Sequence, residues 1–184
     1  PEGMPKVLMV TSTSVGEGKS TTALSLAMHF AQAGKSVLLI DADLRKASLH
    51  RKLAVGNEVG LTTYLAGDAT PVQITRACQV PKVFLIPSGP LPPNPAELLG
   101  SRTMKQMLDA IRAHYDWVLI DSPPLLAMAD APVLCSLVEG VVLVLAAEVA
   151  TKPAVIRAIE QVQGVGGKVL GVVLNKVNLE RNSY

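Results

Sequence analysis

Between Lys6 and Thr22 the chain reads KVLMVTSTSVGEGKSTT, an apolar run followed by a glycine-containing loop that closes on Gly18-Lys19-Ser20. These residue types at this spacing suit a polyphosphate. A glycine loop after a buried strand lets successive backbone N–H groups point inward at a phosphate, and a helix starting near Ser20 adds its positive N-terminal end. Lys19 is placed to reach the β- and γ-phosphates, and the Ser20 hydroxyl to ligate Mg²⁺. The nucleotide-binding set predicted on this basis is Ser14, Val15, Gly16, Glu17, Gly18, Lys19, Ser20 and Thr21, with ATP and Mg²⁺ as cofactors. The usual pattern G-x-x-x-x-G-K-[ST] has its first glycine where this chain has Thr13, so Gly16 and Gly18 must supply the flexibility. The competing reading is an ordinary strand-to-helix turn, against which the flanking periodicity argues.

Carboxylates end two further apolar runs. In Leu38-Leu39-Ile40-Asp41-Ala42-Asp43-Leu44-Arg45, residues two apart on an extended segment project to the same side, so Asp41 and Asp43 face one space. Two carboxylates that close raise each other's pKa unless a cation or a base role compensates. A solvated surface pair is the alternative. In Trp117-Val118-Leu119-Ile120-Asp121-Ser122-Pro123-Pro124 an acid again ends a strand, the arrangement by which a P-loop protein positions Mg²⁺ together with the loop hydroxyl. Pro123 and Pro124 then stop the strand and stiffen the loop above the metal. Lys19, Asp41, Asp43 and Asp121 are the predicted catalytic set, and Ser20, Asp41 and Asp121 the predicted metal set. Asn175, ending Val172-Val173-Leu174-Asn175-Lys176, offers an amide to a nucleobase or simply forms a turn. Arg45 and Lys46 could meet phosphate, a partner subunit or water.

The elements that must hold these groups are legible as an alternation. Apolar runs at Val7 to Val10, Val37 to Ile40, Val83 to Ile86, Val118 to Ile120, Val141 to Leu145 and Val169 to Leu174 are separated by amphipathic stretches. Runs apolar at every position read as strands covered on both faces. The prediction is an α/β fold, a three-layer α/β/α P-loop domain with a mostly parallel sheet, filling residues 1–184 as one domain. The first helix should run from about Lys19 to Ala33 and stop at Gly34. Another should begin near Ser101 and present Met104, Leu108, Ile111 and Tyr115 on one face. Pro153 can open a helix through Ile156 and Ile159 that ends at Gly164. Proline-rich Pro87 to Pro95 reads as a stiff loop between a strand and a helix.

Composition narrows the function classes. A formal charge of +2 and 3% aromatics over 184 residues argue against nucleic-acid binding. Cys78 and Cys135 fit no paired metal-ligand spacing and read as thiols in a reducing compartment. His29, His50 and His114 are isolated. The longest apolar run, Gly140 to Ala147, is far shorter than the ~20 residues a bilayer-spanning helix needs. The chain alone is therefore expected to be soluble.

Taken together, GEGKS, LLIDADLR and VLIDSPP resemble the three motifs of the bacterial tyrosine kinases, autokinases that regulate export and chain length of capsular and exopolysaccharides. The segment Ser88 to Leu99, SGPLPPNPAELL, resembles that family's characteristic loop. The resemblance spans essentially the whole chain. It implies that Lys19 and Ser20 bind phosphates and Mg²⁺, that Asp41 and Asp43 serve the metal and the attacking tyrosine hydroxyl, and that Asp121 supports the metal through water; which of Asp41 and Asp43 is the base it leaves open, and the assignment to Asp43 is a choice. It further implies a homo-oligomeric ring, the cytoplasmic tail of a membrane adaptor or polysaccharide co-polymerase as partner, protein tyrosines as substrates, and a cytoplasmic position at the inner face of the membrane, through an adaptor or a fused transmembrane region. The family's upstream arginine-containing helix and carboxyl-terminal tyrosine cluster have no counterpart before Val7 or up to Tyr184. The chain is thus expected to be a trimmed kinase core or a member with unusual ends.

Rival readings are separable by residue. An ATPase switch that positions division sites or partitions plasmids would carry an extra lysine where this chain has Ser14. An iron–sulfur scaffold would need paired cysteines. A nucleotide-sensing interaction module that transfers nothing would tolerate loss of the motif acids, and here all are intact.

Overall fold

The computed structural model describes residues 5–147 and 149–178. The carboxyl-terminal residues 179–184, Tyr184 among them, lie outside the described part. Strands β1 (Val7–Ser12), β2 (Val37–Asp41), β3 (Arg76–Ala77), β4 (Val83–Ile86), β5 (Trp117–Asp121), β6 (Gly140–Ala146) and β7 (Val169–Asn175) form one sheet in the order β3-β4-β2-β5-β1-β6-β7. Every pairing is parallel except that of β3 with β4. The helices are α1 (Lys19–Gln32), α2 (Leu49–Lys52), α3 (Leu61–Leu65), α4 (Pro71–Ile74), α5 (Pro95–Leu99), α6 (Arg102–Ile111), α7 (Asp130–Cys135) and α8 (Lys152–Gly164).

The continuous apolar runs become central strands because both of their faces are covered. On one face Leu8, Val10, Leu39 and Leu119 pack with Ala23 and Ala27 of α1 and Leu49 of α2. On the other, Met9, Ile40, Val118 and Ile120 meet Met104 and Leu108 of α6, Leu134 of α7 and Val162 of α8. The predicted three layers are therefore present. Small alanines on the inner side of α1 let it lie close to the sheet, and Phe30 of α1 stacks on Trp117 with ring centroids 4.4 Å apart. α1 ends as predicted, with Gly34 in the left-handed region at φ 83°.

Two local expectations need correction. Tyr115 is not on the face of α6, because that helix ends at Ile111; the ring instead packs edge-on against Phe84 of β4. β7 is not covered on both faces: as an edge strand with β6 as its neighbour, it leaves Leu170, Val172 and Leu174 exposed. The Pro87 to Pro95 loop does connect β4 to α5, yet the chain between β2 and β4 also folds into α2, α3, α4 and β3. These pieces are too short to show a helical or strand period.

Parallel order sends the carboxyl ends of β1, β2 and β5 to the same edge of the sheet, with β5 between the other two. In register, Asp41 pairs with Asp121, and Asp121 with Val10 just before the phosphate loop. The sites predicted from three separate stretches are thereby brought to one place, the edge at which open α/β sheets bind ligands.

Candidate nucleotide and phosphotransfer site

The loop from Thr13 to Gly18 is shaped by two left-handed glycines, Gly16 at φ 83° and Gly18 at φ 100°. Gly18 serves a second need: a Cβ there would come within 2.1 Å of the Asn175 side-chain nitrogen. Glu17 holds the loop shut. Its buried carboxylate accepts hydrogen bonds from the Thr13 hydroxyl at 2.8 Å, from the Ser14 N–H at 2.8 Å and from the Ala146 N–H at 3.2 Å, tying the loop to the end of β6. From the end of β7, Asn175 Nδ2 donates to the Glu17 carbonyl at 3.0 Å and Lys176 Nζ to the Gly16 carbonyl at 2.7 Å. The other end of the Asn175 amide accepts the Lys176 N–H. A nucleobase would use that amide's remaining N–H and lone pair.

Lys19 opens α1 and is turned toward the second acidic motif, with Nζ 2.8 Å from Asp43 Oδ2. The other Asp43 oxygen accepts the Lys46 N–H at 3.1 Å. Asp41, one register step inward, is fully buried; its Oδ2 accepts the N–H groups of Ser48 and Leu49, both at 3.0 Å, which fixes the turn into α2. Its Oδ1 is buried without a hydrogen-bonding partner, as are both carboxylate oxygens of Asp121. Burial pushes the Asp121 carboxyl up to about 7; the Lys19 charge and the nearby Ser20 hydroxyl pull it down, while Asp41 and Asp43 push it further up. Burial raises Asp41 too, against the N–H groups of Leu49 and Ser48 that favour its ionised form.

Buried carboxylate oxygens without partners are costly, and those of Asp121 lie within reach of the Lys19 charge and the Ser20 hydroxyl at the head of α1, with Asp41 beside Asp121 in the register. That donor set fits Mg²⁺. Among the described residues no group of three His, Cys, Asp or Glu side chains is arranged to hold a metal on its own. Magnesium sites of nucleotide enzymes are of this kind, since the ion takes one or two carboxylates and completes its shell with phosphates and water. Ser20, Asp41 and Asp121 are the residues that would contribute. A cavity of about 200 Å³ opens at Ser20, lined also by Lys19, Asp43, Arg45, Pro123 and Pro124 among others. A larger apolar cavity of about 540 Å³ lies between Tyr64, Ile74, Phe84, Met107 and Tyr115 and contains none of the predicted site residues.

One partner escaped the sequence reading. Arg45 Nε is 2.9 Å from Asp130 Oδ2, and Asp130 is buried at the start of α7. This ion pair fastens the loop after β2 to the opposite helix layer. No spacing rule links positions this far apart. Lys176, by contrast, stands next to a residue already singled out, and its charge beside a strand end was a signal that could have been followed.

Comparison with known proteins agrees with this geometry. The family profile described as an AAA domain matches residues 5–168. The tyrosine-protein kinase YwqD of Bacillus subtilis (strain 168) is 44% identical over 178 residues, covering 97% of this chain and 75% of that protein. The kinase domain of the Escherichia coli tyrosine kinase ETK superposes with a TM-score of 0.94 at 35% identity, covering 100% of this chain and 72% of that one. The cell division ATPase MinD of Pyrococcus furiosus shares the fold at lower similarity, TM-score 0.80 and 26% identity, over 93% of this chain and 72% of its own. With a phosphate loop, a lysine and three acids at one sheet edge, and with these relatives, the chain belongs to the bacterial tyrosine-protein kinase family, built on a nucleotide-binding P-loop AAA domain.

Proposed function

We propose that the site described above transfers the γ-phosphate of ATP to tyrosine hydroxyls, with Asp43 as the general base. The observation that carries this is the juxtaposition of the Lys19–Asp43 pair with the partnerless oxygens of Asp41 and Asp121 at the mouth of the phosphate loop. Residues Ser14, Val15, Gly16, Glu17, Gly18, Lys19, Ser20 and Thr21 cradle the phosphates, and Asn175 borders the base. Magnesium held by Ser20, Asp41 and Asp121 would neutralise phosphate charge and orient the nucleotide. When a polyphosphate draws Lys19 to itself, Asp43 loses its cationic partner and becomes free to accept a proton. A phenol with pKa near 10 is a weak nucleophile at neutral pH, and a positioned carboxylate assists such a transfer by about 10² to 10⁴ in rate.

Kinship supports a reading of the biological setting. The chain assembles into a homo-oligomeric ring in which neighbouring subunits supply substrate tyrosines. It is activated by the cytoplasmic tail of a membrane adaptor or polysaccharide co-polymerase, at the inner face of the membrane, in control of capsular or exopolysaccharide synthesis. No helix among the described residues is long and apolar enough to cross a bilayer; in this reading the membrane contact is made by an adaptor or a fused segment. Incubation with Mg-ATP labelled at the γ-phosphate tests the reading. Label on protein tyrosine supports it, free phosphate alone points to an ATPase switch of the MinD kind, and no turnover even with an adaptor tail added points to a nucleotide-sensing module.

A further inference from the structure

We propose that a basic pocket beside the Asp43 cavity holds an anionic side chain, a carboxylate or a phosphate, on the segment that presents the substrate tyrosine. The inference rests on the tyrosine-kinase reading and adds a rule of substrate choice to it. The pocket has a volume of about 490 Å³ and is lined by Arg45, Lys46, His50 and Arg51 on one side and by Asn57, Ser88 and Gly89 on another. Arg45 and Lys46 also line the smaller cavity that contains Lys19 and Asp43. A tyrosine placed at Asp43 therefore carries its neighbouring residues across this pocket.

The charge of the lining is local. The whole chain has a formal charge of only +2, yet the pocket residues include three permanent cations and no acid. Of the acids around it, Asp43 is paired with Lys19, Asp130 holds the Nε side of Arg45, and Asp41, buried beneath the turn into α2, accepts from Ser48 and Leu49 and faces His50. Asp130 uses the Nε and one terminal nitrogen of Arg45, leaving further guanidinium N–H groups for a ligand. Arg51 is anchored by a hydrogen bond to the Ala47 carbonyl, and His50 Nδ1 is buried without a partner. Guanidinium groups favour carboxylate and phosphate because their N–H fork matches two anionic oxygens.

The opposite wall is rigid. Asn57 Oδ1 accepts from the Ser88 hydroxyl and the Gly89 N–H, and Asn57 Nδ2 donates to the Gly89 carbonyl. Gly89 sits at φ 79°, and a Cβ there would come within 2.4 Å of the Thr62 hydroxyl oxygen. The Ser88-Gly89-Pro90 turn singled out in the sequence thus acquires a use, as the fixed wall of a substrate pocket.

The test measures binding first. Fluorescein-labelled tyrosine peptides carry glutamine, glutamate or phosphotyrosine at each flanking position in turn, and their affinity for the chain is read by fluorescence anisotropy at low salt. The expected result is at least tenfold tighter binding for one or more anionic peptides than for the glutamine series, reduced to within about threefold in Arg51→Gln and partly restored in Arg51→Lys. Stronger preference for phosphotyrosine identifies an already modified tyrosine as the neighbour, and stronger preference for glutamate identifies a carboxylate. Fluorescent nucleotide affinity should be unchanged in Arg51→Gln, which shows that the variant is folded. In phosphorylation assays the effect should fall on KM. Equal affinity for all peptides, or a preference that survives unchanged in Arg51→Gln, overturns the proposal. If no peptide is phosphorylated even with an adaptor tail added, the kinase reading fails, while anisotropy still decides on the pocket.

Discussion

Lys19 Nζ lies 2.8 Å from the carboxylate of Asp43, with both side chains largely buried. The cation offered to a nucleotide and the carboxylate assigned as base therefore hold each other. Such a pairing makes the base available only once phosphate competes for the lysine, and it protects Asp43 from standing alone in a poorly solvated site.

Replacing the lysine should expose both halves of this relationship. Lys19→Met is expected to lower ATP affinity at least tenfold, abolish transfer, and destabilise the fold by about 3 kcal/mol through the unpaired buried carboxylate. The double variant Lys19→Met/Asp43→Asn should recover most of that stability without recovering activity. Urea unfolding and labelled-ATP transfer check the two statements. Phosphorylation at the parental rate in Lys19→Met would remove the loop lysine from the mechanism.

Metal dependence is the next expectation. Burial raises the Asp41 and Asp121 carboxyls, their buried oxygens lack partners, and a cation beside them would favour the ionised forms. Calorimetric titration should show ATP binding much more tightly with Mg²⁺ than with a chelator. Equal affinity under both conditions would contradict the metal assignment.

Glu17 predicts a different kind of defect. Its two oxygens accept from donors on both sides, Thr13 and Ser14 on one and Ala146 on the other. Glu17→Gln would turn an amide NH₂ toward one of those N–H groups in either orientation, at a cost of about 1 to 3 kcal/mol. Lower unfolding free energy together with weaker nucleotide binding is expected. A variant of parental stability would show that the clamp does not hold the loop.

The thiols should be quiet in the folded protein. Burial pushes Cys135 up to about 12 and Cys78 up to about 11, from an ordinary value of 9.0. Both raised values mean that the folded state keeps protons the unfolded state has lost, so this contribution to stability declines as pH rises through about 9 and levels off above the folded values. Iodoacetamide at pH 8.5 should label the native chain far more slowly than the urea-unfolded chain. Equal labelling rates would contradict the burial of Cys135 against Met9.

How much of this was legible depends on the range of each interaction. The phosphate loop and the acids at the ends of β2 and β5 are local motifs, each written in a few consecutive residues and each found where its motif placed it. The parallel sheet was legible because central strands must be apolar on both faces. What the motifs could not show was register: Asp41 stands beside Asp121 because β2 and β5 pair there, and nothing within either strand states it. The same holds for Glu17 reaching Ala146 and for Arg45 reaching Asp130. β7 was misread because its apolar residues do not announce whether a helix will cover their face. The short helices between β2 and β4 lacked a period to read.

The central claim is the division of labour between Asp41 and Asp43. Asp43 holds Lys19 and lines the cavity, whereas Asp41 is buried against the turn into α2 with one oxygen directed to no protein partner. The most direct measurement is Mg-ATP affinity and tyrosine phosphorylation, determined side by side for Asp43→Asn and Asp41→Asn. The account predicts that Asp43→Asn keeps Mg-ATP affinity within a few-fold and loses phosphorylation by about 10² or more, while Asp41→Asn loses both. If Asp43→Asn loses Mg-ATP binding as severely as Asp41→Asn, Asp43 is a metal-site residue and the assignment of the base is wrong.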